Sequence, residues 1–118
     1  MIKIIYASRS GNVQSLINHL ELEATKLESG NERVAEEFVL FTYNDGAGEL
    51  PSIVKDFLNN NKNYLVGAVV SGNPAFKNTF NHAASILEEQ YQTKIIARVV
   101  NSGSEDDYAI IKDALSKL

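Results

Sequence analysis

Ser8-Arg9-Ser10-Gly11-Asn12-Val13 is a turn of hydroxyls, one glycine and one asparagine, set between two different periodicities. Before it, Ile2, Ile4, Ile5 and Tyr6 read as a short apolar strand. After it, Val13, Leu16, Ile17 and Leu20 recur at the spacing of one helix face. A strand that enters a helix through such a turn gathers unpaired backbone N–H groups and the positive end of the helix dipole at one point, which suits a phosphate. The turn lacks the Gly-Lys-Ser/Thr ending of a nucleoside triphosphate loop and the Gly-x-Gly-x-x-Gly of a dinucleotide fold, so both readings lose their main support.

A monophosphate fits better, and flavin mononucleotide (FMN) is the first candidate. The competing reading is an ordinary strand-to-helix turn in which Ser10 or Asn12 caps the helix. Three polar side chains around the glycine exceed what one cap needs, which favours the phosphate. Arg9 brings a charge that either touches the phosphate or stays in solvent.

Working outward, Thr25-Lys26-Leu27 suits a short edge strand, and Glu28-Ser29-Gly30-Asn31-Glu32 a surface loop. Phe38-Val39-Leu40-Phe41 is continuously apolar, as expected for a strand covered on both faces of a parallel sheet. It runs into Thr42-Tyr43-Asn44-Asp45-Gly46-Ala47-Gly48. Pro51 suits a first helical turn, Ile53, Val54, Phe57 and Leu58 supply an apolar face, and Asn59-Asn60-Asn61 is expected to stop that helix. Residues 65–70 form another buried strand, ending at Ser71-Gly72-Asn73-Pro74-Ala75-Phe76. Phe80, Ala83, Ala84, Leu87 and Tyr91 mark the next helix. A last strand spans 95–100, and Ser104 with Asp107 resembles a capping box for a final helix striped by Tyr108, Ile111, Leu115 and Leu118.

Strands thus alternate with helices throughout. The pattern predicts one α/β domain over residues 1–118: a doubly wound, flavodoxin-like parallel sheet of five strands with helices on both faces. Ligands of such sheets lie beyond the carboxyl ends of the strands, where strand order reverses. Three small-residue loops fall there, at 8–13, 42–48 and 71–77.

Each loop also has a plainer reading. The glycines of the second serve turn geometry alone, or they let backbone pass close to a flat ring, with Gly46 free to flip its peptide as the ring's protonation changes. Tyr43 stacks on such a ring or is simply an exposed aromatic. Asp45 either opposes two-electron reduction of a flavin by its charge or belongs to a solvated turn. Phe76 covers a ligand edge or fills the core. His19 and His82 lie on different helices without clustered carboxylates, which supports neither a metal site nor a nucleophile–histidine pair.

Composition narrows the functional classes. In 118 residues, 44% are hydrophobic and 22% charged, ordinary for a globular protein. Eleven basic against fifteen acidic side chains leave a net charge of −4, which argues against nucleic-acid binding and suits a protein partner with basic patches. The chain has no cysteine, so thiolate chemistry and disulfides are excluded and any redox step belongs to a bound cofactor. No segment has the length of a signal peptide core or of a bilayer span, which makes no membrane and a cytoplasmic location the expectation.

Taken in order, the loops make the chain resemble the flavodoxin-like family called NrdI. The resemblance rests on Ser8-x-Ser10-Gly11-Asn12, on Thr42-Tyr43 followed by Gly46-x-Gly48 and Pro51, on Val69-x-Ser71-Gly72-Asn73, and on Ser102-Gly103-Ser104 with Asp107. It implies an FMN protein that serves class Ib ribonucleotide reductase. Its reduced flavin would make superoxide or peroxide for the di-manganese, radical-bearing small subunit, after reduction by a flavin-reducing partner. The phosphate would sit on Ser8, Arg9, Ser10, Gly11, Asn12 and Val13. The isoalloxazine would be framed by Thr42, Tyr43, Asn44, Asp45, Gly46, Ala47, Gly48, Ser71, Gly72, Asn73 and Phe76. The alternatives are a general low-potential electron-transfer flavodoxin and a flavin-free interaction domain of the same fold. A receiver-type signalling domain would need acidic residues near the end of the first strand and a lysine after the last, and the chain has neither.

Overall fold

The four side chains of the run Phe38-Val39-Leu40-Phe41 are each 0% exposed, the double-sided burial that their lack of alternation required. They belong to the middle strand of a computed structural model that describes residues 2–45, 48–73 and 82–118. The order is β1 (Lys3–Tyr6), α1 (Asn12–Leu20), β2 (Thr25–Lys26), β3 (Phe38–Tyr43), α2 (Ser52–Asn61), a 3-10 turn (Lys62–Tyr64), β4 (Leu65–Gly72), α3 (His82–Tyr91), β5 (Ile95–Val100) and α4 (Glu105–Ser116).

The strands form one parallel sheet in the order β2-β1-β3-β4-β5. This is the flavodoxin-like order, with its reversal between β1 and β3. Alternate residues of β3 face opposite ways and anchor two cores. Phe38 and Leu40 pack with Val54, Phe57 and Leu58 of α2 and with Ala83, Ala84 and Leu87 of α3. Val39 and Phe41 pack with Val13, Leu16, Ile17 and Leu20 of α1 and with Ile111 and Leu115 of α4. The rings of Phe38 and Phe57 meet edge to face at 5.3 Å, a contact worth about 0.5–1.5 kcal/mol beyond its buried area.

One expectation is corrected. Strands and helices do not alternate throughout, because residues 27–37 cross from β2 to β3 with no helix. Polar side chains hold this crossover instead. The Glu32 carboxylate accepts backbone N–H bonds from Glu28, Ser29 and Gly30 at 2.8, 3.1 and 2.8 Å. The second helix stops where the Asn59-Asn60-Asn61 run was expected to stop it, with Asn61 as the last residue of α2. Asn61 is 1% exposed: its Oδ1 accepts from Val34 N–H, and its Nδ2 donates to the carbonyls of Glu32 and Phe57. An amide that staples the crossover to the end of α2 needs the helix to reach it. Gly30 sits in this seam at φ +86°, where an added Cβ would lie 3.0 Å from Asp56 Cβ and 3.1 Å from the Ile53 carbonyl.

Asn61→Ala leaves buried backbone groups without partners and should cost about 1–3 kcal/mol. Urea denaturation should show a lower midpoint with an unchanged slope. A second expectation concerns acid. Burial pushes the Glu32 carboxyl up, but hydrogen bonds from the backbone of Glu28, Glu32 itself, Ser29 and Gly30 act the other way and together hold it at about 2, below its ordinary 4.5. Because the folded value is the lower one, this stabilisation is complete above about 4.5 and lost as pH falls towards 2. Thermal melts of the native protein and of Glu32→Gln should therefore differ at neutral pH and converge across that window.

Candidate functional site

At the end of β1, Ala7 N–H bonds the Phe41 carbonyl at 3.0 Å and Tyr6 accepts from Leu27 N–H at 2.8 Å, which fixes the strand before the first loop begins. Gly11, at φ +96°, turns the chain into α1. The left-handed conformation favours glycine, and a Cβ built there meets nothing within 4 Å, so the space beside the turn is open.

The cap expected from Ser10 or Asn12 does not form. Gly11 is the N-cap residue and contributes no side-chain bond. Ser8 supports the helix instead, its Oγ accepting from Gln14 N–H at 3.2 Å, while Tyr6 donates its hydroxyl to Gln14 Oε1. No acceptor among the described residues takes the amides of Ser10, Gly11, Asn12 and Val13. The first turn of α1 also carries no acidic residue. An open cluster of donors at a helix N-terminus has the chemistry of a phosphate seat.

The second loop leaves β3 at Tyr43, which is half-buried. Asn44 ties it down on two sides: its N–H bonds the Ser71 carbonyl at 3.1 Å, and its Oδ1 accepts from Ala83 N–H at the start of α3. Asp45 and Glu49 close a tight turn, with Asp45 N–H to the Glu49 carbonyl at 2.7 Å and Glu49 N–H to the Asp45 carbonyl at 2.8 Å. Gly48 completes it at φ +92° and is buried. In the third loop the buried Ser71 spends its hydroxyl on the Asn101 carbonyl, and Asn101 N–H returns a bond to the Gly72 carbonyl. Residues 101–104 thus brace the site from the end of β5. The capping box of Ser104 and Asp107 is present, and the Tyr108 hydroxyl holds the Ser102 carbonyl at 3.1 Å.

Between the loops lies a cavity of about 240 Å³. Arg9, Ser10 and Asn12 line it from the first loop, Tyr43 and Asn44 from the second, and Ser71, Gly72 and Asn73 from the third. All eight are candidates from the sequence. A larger recess of about 690 Å³ lies around the other end of β1, between Ile2, Lys3, Leu22 and Glu36. It is away from the carboxyl ends of the strands, where ligands of such sheets lie, so the smaller cavity is the candidate site.

Other candidates serve the scaffold or lie elsewhere. Val13 is 1% exposed in the core, and Thr42, equally buried, sits within β3. Gly46, Ala47, Phe76 and the remainder of residues 74–81 lie outside the described residues. Arg9 keeps most of its side chain in solvent, 64% exposed, and also reaches another loop: its Nη1 is 2.7 Å from Asp45 Oδ1 and its guanidinium lies 5.3 Å from the centre of the Tyr43 ring. Asp45 is correspondingly no freely solvated turn residue. At Tyr43, burial raises the phenol above its ordinary value, with Arg9 lowering it and Asp45 raising it further. His19 is exposed and stacks on Tyr108 at 5.1 Å. Sequence reasoning missed Asn101, at φ +53°; its only signal was an asparagine, which tolerates that conformation, right after a strand.

Comparison with known proteins converges on the same fold. A family model described as NrdI flavodoxin-like matches residues 4–113. A protein from Bacillus licheniformis named Protein NrdI is 31% identical over 118 residues, covering 100% of this chain and 90% of that protein. Among solved structures, a short-chain flavodoxin associated with a non-canonical PDU bacterial microcompartment superposes with a TM-score of 0.70 at 19% identity, covering 99% of this chain and 95% of the other.

The two serines of the first loop should separate by stability. Ser8→Ala removes the acceptor of Gln14 N–H and should cost about 0.5–2 kcal/mol. Ser10→Ala removes no side-chain hydrogen bond to the described residues and should stay within about 0.5 kcal/mol of the unsubstituted protein. Thermal denaturation without cofactor measures both.

Proposed function

The chain belongs to the NrdI flavodoxin-like family, whose cofactor is FMN, and from that premise we propose that it supplies an oxidant to the radical-bearing small subunit of a class Ib ribonucleotide reductase. The observation that carries the reading is the set of amides at Ser10, Gly11, Asn12 and Val13 that find no acceptor among the described residues, beside a cavity shared by three strand ends. Donors without acceptors, in a loop without carboxylates, fit an anionic tail and not a cation.

In this reading the Ser10 hydroxyl, the Asn12 amide and the four backbone N–H groups hold the FMN phosphate. Ser8 and Tyr6 keep those donors in place through Gln14. Tyr43, with Asn44, Asp45, Gly48 and the neighbouring Gly46 and Ala47, flanks the isoalloxazine on one side. Ser71, Gly72, Asn73 and Phe76 flank it on the other. The ties of Asn44 to Ser71 and Ala83 fix the second loop against the end of β4 and the start of α3, which supports a preformed position for the residues that would contact the ring. When bound and reduced by a flavin-reducing partner, FMN gives electrons to dioxygen and yields superoxide or peroxide. The protein contributes binding, orientation and local charge. The net charge of −4 suits docking on a basic surface of the small subunit and argues against nucleic acid. No helix of the described residues is long and apolar enough to cross a membrane, in keeping with work in the cytoplasm.

The reading is tested in two stages. Purified protein should be yellow, with the absorption spectrum of bound FMN. After anaerobic reduction and exposure to oxygen beside the manganese-loaded small subunit, it should produce a tyrosyl radical visible by electron paramagnetic resonance. FMN uptake without radical leaves a general electron carrier, and no uptake leaves an interaction domain. Ser10→Ala should weaken FMN about 10- to 100-fold, the equivalent of a hydrogen bond to a charged group, with riboflavin affinity unchanged. Asn12→Ala should act in the same direction. Fluorescence titration with both ligands checks this.

A further inference from the structure

Arg9 starts in the first loop and ends at the second. The turn closed by Asp45 and Glu49 sets the Asp45 carboxylate to receive it, at 2.7 Å, with the Arg9 side chain 64% and the Asp45 side chain 31% exposed. The guanidinium lies 5.3 Å from the centre of the Tyr43 ring, and both residues line the cavity. The cation that grows from the first loop is thus paired with a carboxylate and an aromatic of the second. Both members of the pair are felt there, since Arg9 and Asp45 shift the Tyr43 phenol in opposite directions.

Resting on the FMN reading above, we propose that Arg9 acts on the flavin ring and not on its phosphate: held by Asp45 over Tyr43, its charge offsets that carboxylate and favours the reduced ring. On full reduction the ring takes two electrons and one proton from its reducing partner and gains one negative charge. A bare carboxylate beside it opposes that change. A guanidinium, which keeps its proton at any working pH, removes the opposition. Asp45 is then a positioning residue for Arg9 as much as a charge in its own right.

The experiment measures the midpoint potential of bound FMN by anaerobic dye titration in the unsubstituted protein, Arg9→Gln and Asp45→Asn, with dissociation constants for FMN and riboflavin on each. Arg9→Gln should lower the potential of full reduction, whereas Asp45→Asn, which removes the carboxylate together with the anchor of Arg9, should move it less. Both shifts should shrink at high salt, because the pair is partly exposed. The ratio of FMN to riboflavin affinity should stay within about twofold of the unsubstituted protein. An unmoved potential in Arg9→Gln overturns the inference. So does about a tenfold loss for FMN with none for riboflavin, which makes Arg9 a phosphate contact. If the unsubstituted protein takes up no FMN, the functional reading falls and the inference with it. FMN uptake with an unmoved potential sinks the inference alone.

Discussion

Everything in this molecule hangs from β3, whose residues have no solvent-facing side. Each alternate side chain anchors a different layer of helices, so a one-residue slip of this strand would exchange the two cores. Its register against β1 and β4 decides where the three strands end relative to one another. Because Tyr6, Tyr43 and Gly72 end their strands at one edge of the sheet, the loops that follow them meet there and nowhere else. The site is a consequence of the sheet's parallel alignment.

Within that frame the two ends of the cavity are built on opposite principles. The first loop is left incomplete: Gly11 turns the backbone so that a row of amides faces outward, and the side chains that would satisfy them are absent or, like Ser8, engaged one turn further on. The second and third loops are completed internally. Asn44 bonds Ser71 and Ala83, and Ser71 bonds Asn101, so little backbone there is left wanting. A charged tail is drawn to unpaired donors, whereas a flat ring needs walls that do not collapse. The proposed placement of FMN matches this difference between the loops.

The crossover from β2 to β3 shows how a short chain covers a sheet edge without a helix. Backbone left outside regular structure must still find partners. Here Glu32 takes three amides and Asn61 bridges three backbone groups from the end of α2. None of this was legible in the sequence, where Glu32 looked like a surface residue and Asn61 like the end of a helix. Both read as solvent-facing because their types usually are, and only their backbone partners, distant in sequence for Asn61, make them structural.

What the sequence determined by itself was set by local periodicity and turn chemistry: the strands and helices, the doubly wound sheet, the capping box at Ser104, and the eight residues that line the cavity. Those signals are short-range, because apolar spacing and a glycine's conformational freedom are visible within a few residues. The tertiary structure decided which polar groups are spent and which are spare. Ser8 and Ser10 are alike in sequence, yet one props up Gln14 and the other has no hydrogen-bond partner among the described residues. The partners of Arg9 were not foreseen, since Asp45 and Tyr43 reach it only after β1 and β3 pair side by side. A hydrogen bond or ion pair depends on ångström distances between segments far apart along the chain, and no pattern of neighbours encodes those distances.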